Sequence, residues 1–263
     1  MHPESYAQTQ ESALKHSTVA VIPARYLSTR LPGKPLADIA GHPMIEHVYR
    51  RTAAAPSIDA VVVATDDERV RTVVEGFGGV AHLTSTTHQS GTDRLAEVID
   101  NLRCSLVVNV QVDEPLIEPT MIEQVLEPFH EHSEIMMTTL RCPISDPADL
   151  SNPHIVKVVT DVNGYALYFS RGPIPFSRNN LNTNSTENLY KHIGLYAYRR
   201  DFLLAFARLT RTPLEQMEAL EQLRALEHGF RIKTIETKHA PIGIDTPEDL
   251  ERVRRIAGTT INV

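Results

Sequence analysis

Three cations crowd one short stretch of this chain. Arg25, Arg30 and Lys34 lie in Ala24-Arg25-Tyr26-Leu27-Ser28-Thr29-Arg30-Leu31-Pro32-Gly33-Lys34-Pro35, directly after the apolar run Val19-Ala20-Val21-Ile22. Guanidinium forks and a point-like ammonium suit a polyanion such as a triphosphate, and Gly33 lets the backbone come close. The loop is neither the Gly-x-x-x-x-Gly-Lys-Ser/Thr nor the Gly-x-Gly-x-x-Gly phosphate cradle. A second apolar run, Leu106-Val107-Val108-Asn109-Val110, leads through Gln111 and Val112 to Asp113 and Glu114. Hard carboxylate oxygens at a strand end suit Mg²⁺, which is held by one or two carboxylates plus substrate phosphates. Asp245 offers another carboxylate, although Asp245 or Thr246 would equally cap a helix whose first turn carries Glu248 and Asp249. In His88-Gln89-Ser90-Gly91-Thr92-Asp93-Arg94, a turn at Ser90 and Gly91 presents backbone groups and Arg94 presents donors. Such a set matches a base with an exocyclic amine and ring acceptors, as in cytosine. The plain alternatives are a solvated cationic loop, a solvated acidic pair and an ordinary helix start.

The elements that must position these residues alternate. Strands are predicted at 18–22, 60–64, 80–83, 106–111 and 135–140. Helices are predicted at 43–55, 67–75, 92–101 and 119–132, the third ahead of the carboxylate strand. This rhythm predicts an α/β fold, a mainly parallel sheet with helices on both faces. Ligands then bind beyond the carboxyl ends of the strands, where the cationic loop and the carboxylates lie. After Pro153 the rhythm changes. Strands at 155–160, 166–170 and 193–198 follow with no helix between them, and 177–188 is a long polar loop of the functional or mobile kind. Helices return at 201–208 and 215–227, then a strand at 232–236 and a helix at 247–256. Residues 154–200 are therefore read as a smaller β-rich lobe on a domain of 18–263, with 1–17 as a polar tail, either disordered or carrying a short helix over 5–15.

Bulk properties exclude some classes. The 263 residues have a net charge of −7, so no general basic face points to nucleic acid. Cys104 and Cys142 read as reduced, buried thiols. No run approaches the ~18 apolar residues that cross a membrane, and the start of the chain lacks an apolar signal core.

The motifs together resemble those of the 3-deoxy-manno-octulosonate cytidylyltransferases, the CMP-Kdo synthetases. The resemblance rests on Pro23-Ala24-Arg25, Ser28 to Leu36, Ala64-Thr65-Asp66, His88 to Arg94, Asn109 to Pro115, Asn152-Pro153 and Lys157-Val158-Val159. It continues through Tyr168 to Arg171, His192 to Tyr196, Leu220 to Arg224 and Asp245 to Leu250, from about residue 18 to 255. It implies a Rossmann-like nucleotidyltransferase sheet and the reaction of CTP with Kdo to give CMP-Kdo and pyrophosphate, with Mg²⁺ as cofactor. By motif, Arg25 and Lys34 hold phosphates, Arg30 supports their loop, and Ser90, Gly91 and Arg94 face the cytosine. Asp113 and Asp245 bind the metal. Gln111, Arg171, His192, Tyr196, Glu221 and Gln222 line the sugar pocket, Gln111 also reaching the nucleotide. The family is a cytoplasmic homodimer that serves lipopolysaccharide assembly. One position departs: Val112 stands where the family has Gly. A β-branched residue there implies backbone strain if the loop needs a left-handed conformation, and so either a weakened paralogue or an ordinary β geometry. An enzyme for a modified sugar such as 8-amino-Kdo is the other alternative.

Overall fold

The computed structural model describes residues 18–27, 31–88, 90–176 and 188–260. The expectations for the tail 1–17, for Arg30 and for most of the loop 177–188 lie outside them. The chain divides into two compact units. The first holds the described residues up to Glu123, Arg199–Ala207, and those from Pro241 on; the second holds Gln124–Tyr198 and Arg208–Ala240. The stretch 154–200 read as a lobe falls in the second unit except for its last two residues.

In the first unit, strands β1 (Thr18–Ala24), β4 (Ala60–Thr65), β5 (Ala81–Leu83) and β6 (Leu106–Asn109) pair in parallel, in the order β6-β1-β4-β5. A two-residue hairpin, β2 (Asp38–Ile39) and β3 (His42–Pro43), precedes the helix Met44–Ala53. Helices Met44–Ala53, Glu68–Gly76 and Gly91–Asp100 pack on the sheet, and the fold class is the mainly parallel α/β arrangement with helices on both faces. Buried on both faces, β1, β4 and β6 read as nearly continuous apolar runs, while β5 at the sheet edge is half-exposed. β1 does not stop at Ile22 as expected but continues through Pro23 to Ala24. Its ladder with β6 ends at Val21, so further on only the β4 edge is paired and a residue without an N–H is tolerated.

In the second unit, β7 (Met137–Pro143) pairs in parallel with β11 (Lys233–Glu236) and antiparallel with β10 (Tyr190–Arg199). β8 (Lys157–Thr160) lies antiparallel between β10 and β9 (Ala166–Ser170). Two expected helices are each broken. The one at 119–132 becomes Pro119–Leu126 and Pro128–Glu131, because Pro128 has no N–H to continue the first. The one at 215–227 becomes Pro213–Glu218 and Gln222–Glu227, separated by Ala219 in the left-handed region at φ 51.

Candidate active site

Lys34 is buried just past β1, in the turn Lys34–Leu36 that opens at Gly33 with φ 71. Its ammonium donates to Asp113 Oδ2 at 2.8 Å, to the Ile244 carbonyl at 2.8 Å and to Asp245 Oδ1 at 3.2 Å. The two carboxylates come from 79 and 211 residues along the chain. Each is carried there by ordinary packing. Asp113 follows β6 in a turn, and its carbonyl accepts the Ile244 N–H at 2.9 Å. Asp245 is fixed by the helix Pro247–Thr260, whose Leu250, Val253 and Ala257, at helical spacing, pack on Ile39 and Met44 together with Ile244. The cap of that helix is Thr246 and not Asp245. Thr246 Oγ1 accepts from the Asp249 N–H at 3.2 Å, and the Asp249 carboxylate accepts from the N–H groups of Asp245 and Thr246. The Asp245 carboxylate is thereby left to face Lys34.

Glu114 parts from Asp113. The sequence offers it beside Asp113 as a hard oxygen ligand or as part of a solvated acidic pair; its Oε2 is buried with no hydrogen-bond partner among the described residues. Burial, reinforced by the negative charge of Asp113, pushes its pKa up to about 8. Burial and the like charge of Asp113 both oppose a second negative charge at this position. The strain expected at Val112 is also absent. Among the described residues the left-handed positions other than glycine are Ala40, Asn188 and Ala219, and Val112 has ordinary geometry with a buried side chain.

Arg25 is exposed and donates from Nη2 to the His88 carbonyl at 2.6 Å. Ser90 caps the helix Gly91–Asp100: its Oγ accepts from the Asp93 N–H at 3.1 Å, and Asp93 accepts from the Ser90 N–H in return. Gly91 is the first helical residue, with Pro23 the nearest neighbour to a hypothetical Cβ at 3.6 Å. Arg94 is completely buried and donates to Asp66 Oδ2 at 2.8 Å and to Thr84 Oγ1. Burial pulls its pKa down while Asp66 opposes this. Gln111 donates to Asn109 Oδ1 at 3.2 Å. Asp66 and Thr84, which hold Arg94, were not singled out from the sequence; Asp66 appeared only within a motif.

The residues expected at the sugar gather in the second unit, apart from Gln111. His192 and Tyr196 stand on β10, with ring centroids 5.3 Å apart, and Phe169 lies 5.0 Å from His192. Thr139 Oγ1 donates to the carbonyls of Ile193 at 3.0 Å or Leu195 at 2.9 Å, so it accepts from His192 Nε2 at 2.9 Å, which assigns the proton to Nε2. Enclosure pushes the His192 pKa down to about 3 and, with the charge of Glu221, raises that of Tyr196 well above its ordinary value. The buried pair Glu215–Arg224, at 2.5 and 2.8 Å, braces the corner that carries Glu221 and Gln222. Arg171 ends up at the close of β9, its guanidinium against the Glu218–Ala219 turn.

Similarity to known proteins agrees with this geometry. The cytidylyltransferase family pattern matches residues 19–235. The 3-deoxy-manno-octulosonate cytidylyltransferase of Geobacter sulfurreducens is 55% identical over 241 residues, 89% of this chain and 96% of that one. The enzyme of that name from Syntrophotalea carbinolica is 54% identical over 242 residues, 90% and 97% of the two chains. A CMP:2-keto-3-deoxy-manno-octonic acid synthetase solved in complex with CTP has a TM-score of 0.88 at 44% identity, covering 93% of this chain and 99% of that one. A 4-diphosphocytidyl-2C-methyl-D-erythritol synthase from Anaerococcus prevotii, with a TM-score of 0.61 at 11% identity over 92% of this chain and 99% of its own, shares the fold alone. By the span and identity of these matches, the chain belongs to the cytidylyltransferase family, among the 3-deoxy-manno-octulosonate cytidylyltransferases.

Proposed function

We propose that this nucleotidyltransferase moves CMP from CTP to the anomeric hydroxyl of Kdo, releasing pyrophosphate. The observation that supports it best is the convergence of Lys34, Asp113 and Asp245 past the carboxyl ends of β1 and β6, in a chain with the family's motifs. The sugar oxygen forms its bond to the α-phosphorus, the bond from that phosphorus to the pyrophosphate oxygen breaks, and the hydroxyl proton is lost. Arg25 and Lys34 neutralise phosphate charge, and Arg30 supports their loop. Ser90 and Gly91 set the backbone that meets the cytosine, with Arg94 as a buried brace behind it, and Gln111 stands at the turn before Asp113. Arg171, His192, Tyr196, Glu221 and Gln222 serve the sugar.

Asp113 and Asp245 fit Mg²⁺. They already share one cation, the Lys34 ammonium, between them. Among the described residues no group of three or more potential ligands gathers, as suits an ion that completes its shell with phosphates and water. When bound there, the ion neutralises charge on the triphosphate and activates the attacking hydroxyl. A cytoplasmic homodimer acting in lipopolysaccharide assembly completes the proposal; among the described residues no helix is long and apolar enough to cross a membrane. The modified-sugar and weak-paralogue alternatives are not favoured, since the similar enzymes are named for the unmodified sugar and Val112 is unstrained. Pyrophosphate release with CTP, Mg²⁺ and Kdo tests the reaction: release that does not depend on Kdo overturns it, and faster release with 8-amino-Kdo reassigns the sugar.

A further inference from the structure

Lys157 is completely buried. Its ammonium donates to the carbonyls of Asn152 at 2.9 Å, Ile155 at 2.7 Å and Arg171 at 2.6 Å, which uses all its donors. Burial pulls its pKa down, and the charge of Glu218 works against that. An ammonium withdrawn from water and given only to main-chain carbonyls is a costly way to join two segments. What it joins is specific. Lys157 lies opposite Ser170 across the β8–β9 ladder, and the carbonyl it holds is that of Arg171.

Glu218 holds the same residue from the other side. Its carboxylate accepts from the Ser170 hydroxyl at 2.7 Å and the Arg171 N–H at 2.9 Å, and its carbonyl accepts from Arg171 Nε at 2.8 Å. The guanidinium also donates through Nη1 to the Pro153 carbonyl at 3.0 Å and through Nη2 to the Ala219 carbonyl at 3.4 Å. Ala219 is in the left-handed region, so a turn that L-residues seldom adopt aims that carbonyl. Among the described residues these contacts take three of the five guanidinium N–H groups and leave one on each Nη; a carboxylate accepts two such groups in a fork.

We propose that Lys157, together with Glu218, is a positioning residue for the sugar acid: it fixes the Arg171 main chain so that the two remaining guanidinium N–H groups meet the substrate carboxylate. This rests on the reading of Arg171 as a sugar-binding residue.

Steady-state kinetics of Lys157→Met, with Kdo and CTP varied separately, test it. Methionine keeps the stem and removes the charge. The sugar KM is expected to rise about tenfold or more while the CTP KM stays within about twofold. A folded variant with both KM values unchanged, or both raised alike, overturns the proposal. Glu218→Gln carries the same split at about threefold and is read by the same criteria if Lys157→Met does not fold. Arg171→Lys separates this inference from the reading beneath it. An unchanged sugar KM in Arg171→Lys removes Arg171 from sugar binding; a raised one, with no sugar effect in Lys157→Met or Glu218→Gln, overturns the positioning role alone. In the double variant, Lys157→Met adds no further rise to Arg171→Lys, because it acts through that side chain. Effects that multiply, alongside a lower Tm, mark a purely structural lysine and overturn the proposal.

Discussion

Asp113 and Glu114 are neighbours in sequence with opposite fates. The Asp113 carboxylate lies 2.8 Å from an ammonium, whereas Glu114 Oε2 is buried without a hydrogen-bond partner among the described residues, and burial and Asp113 push the Glu114 pKa up to about 8. Asp113 is therefore the carboxylate of the two that faces Lys34. Asp113→Asn is expected to abolish turnover while leaving the fold intact, as read by pyrophosphate release and a thermal melt. Retention of more than about a tenth of the rate, a barrier change under ~1.4 kcal/mol, would falsify its metal role. Val112 carries the contrary expectation. With ordinary backbone geometry and a buried side chain, Val112→Gly recovers no strain. It removes buried apolar surface and loosens the unfolded chain, at about 2 kcal/mol or about 4–8 °C in Tm, with no gain in kcat. A several-fold faster Val112→Gly enzyme would restore the strain idea.

At the scale of elements, the last helix acts as a lever on the site. Its apolar face is anchored on Ile39 and Met44, and its N-terminal box fixes the backbone of Asp245 through Asp249 at 3.1 Å. Removing that box with Asp249→Ala is expected to cost about 1 kcal/mol of stability and to lower kcat at saturating CTP several-fold, because Asp245 loses its bearing. Comparison of melts with kcat decides the matter: a destabilised enzyme with unaltered kcat makes the box structural only. The parallel strands serve the same end. β1 and β6 run side by side and parallel, so the cationic loop and Asp113 leave the sheet at the same, carboxyl, end, where ligands of an open α/β sheet bind.

At the scale of the whole molecule, pH reports on the enclosed His192. Its pKa in the folded protein, about 3, lies below the value near 6.5 of an unfolded histidine. Between those values the unfolded chain binds the proton and the folded one does not, so stability rises with pH through the window and is lost as pH falls from 6.5 toward 3. One proton sets a ceiling of about 1.4 kcal/mol per pH unit on this loss, and the contact the ring keeps with solvent lowers it. Urea unfolding at pH 7 and pH 5, for wild type and His192→Gln, tests this. The variant is expected to lose less stability over that interval; an identical loss would assign the acid sensitivity to other groups.

Local chemistry determined much of this protein from the sequence alone. Apolar runs fixed the parallel strands, since strands covered on both faces contain little else. The cation spacing around Gly33 and the carboxylate after β6 pointed to the site proposed for the nucleotide, although a solvated loop and a solvated acidic pair fit the same residues until Lys34 and Asp113 were seen to meet. Other features waited for tertiary structure. Whether Thr246 or Asp245 capped the last helix depended on where Asp249 and Lys34 came to lie. The break at Ala219, the burial of Arg94 and of Glu114, and the cradle around Arg171 have no local signature. Each is set by contacts between segments far apart in the chain, and the cost of leaving a charge or a carbonyl unpaired is incurred only once the chain has closed around it.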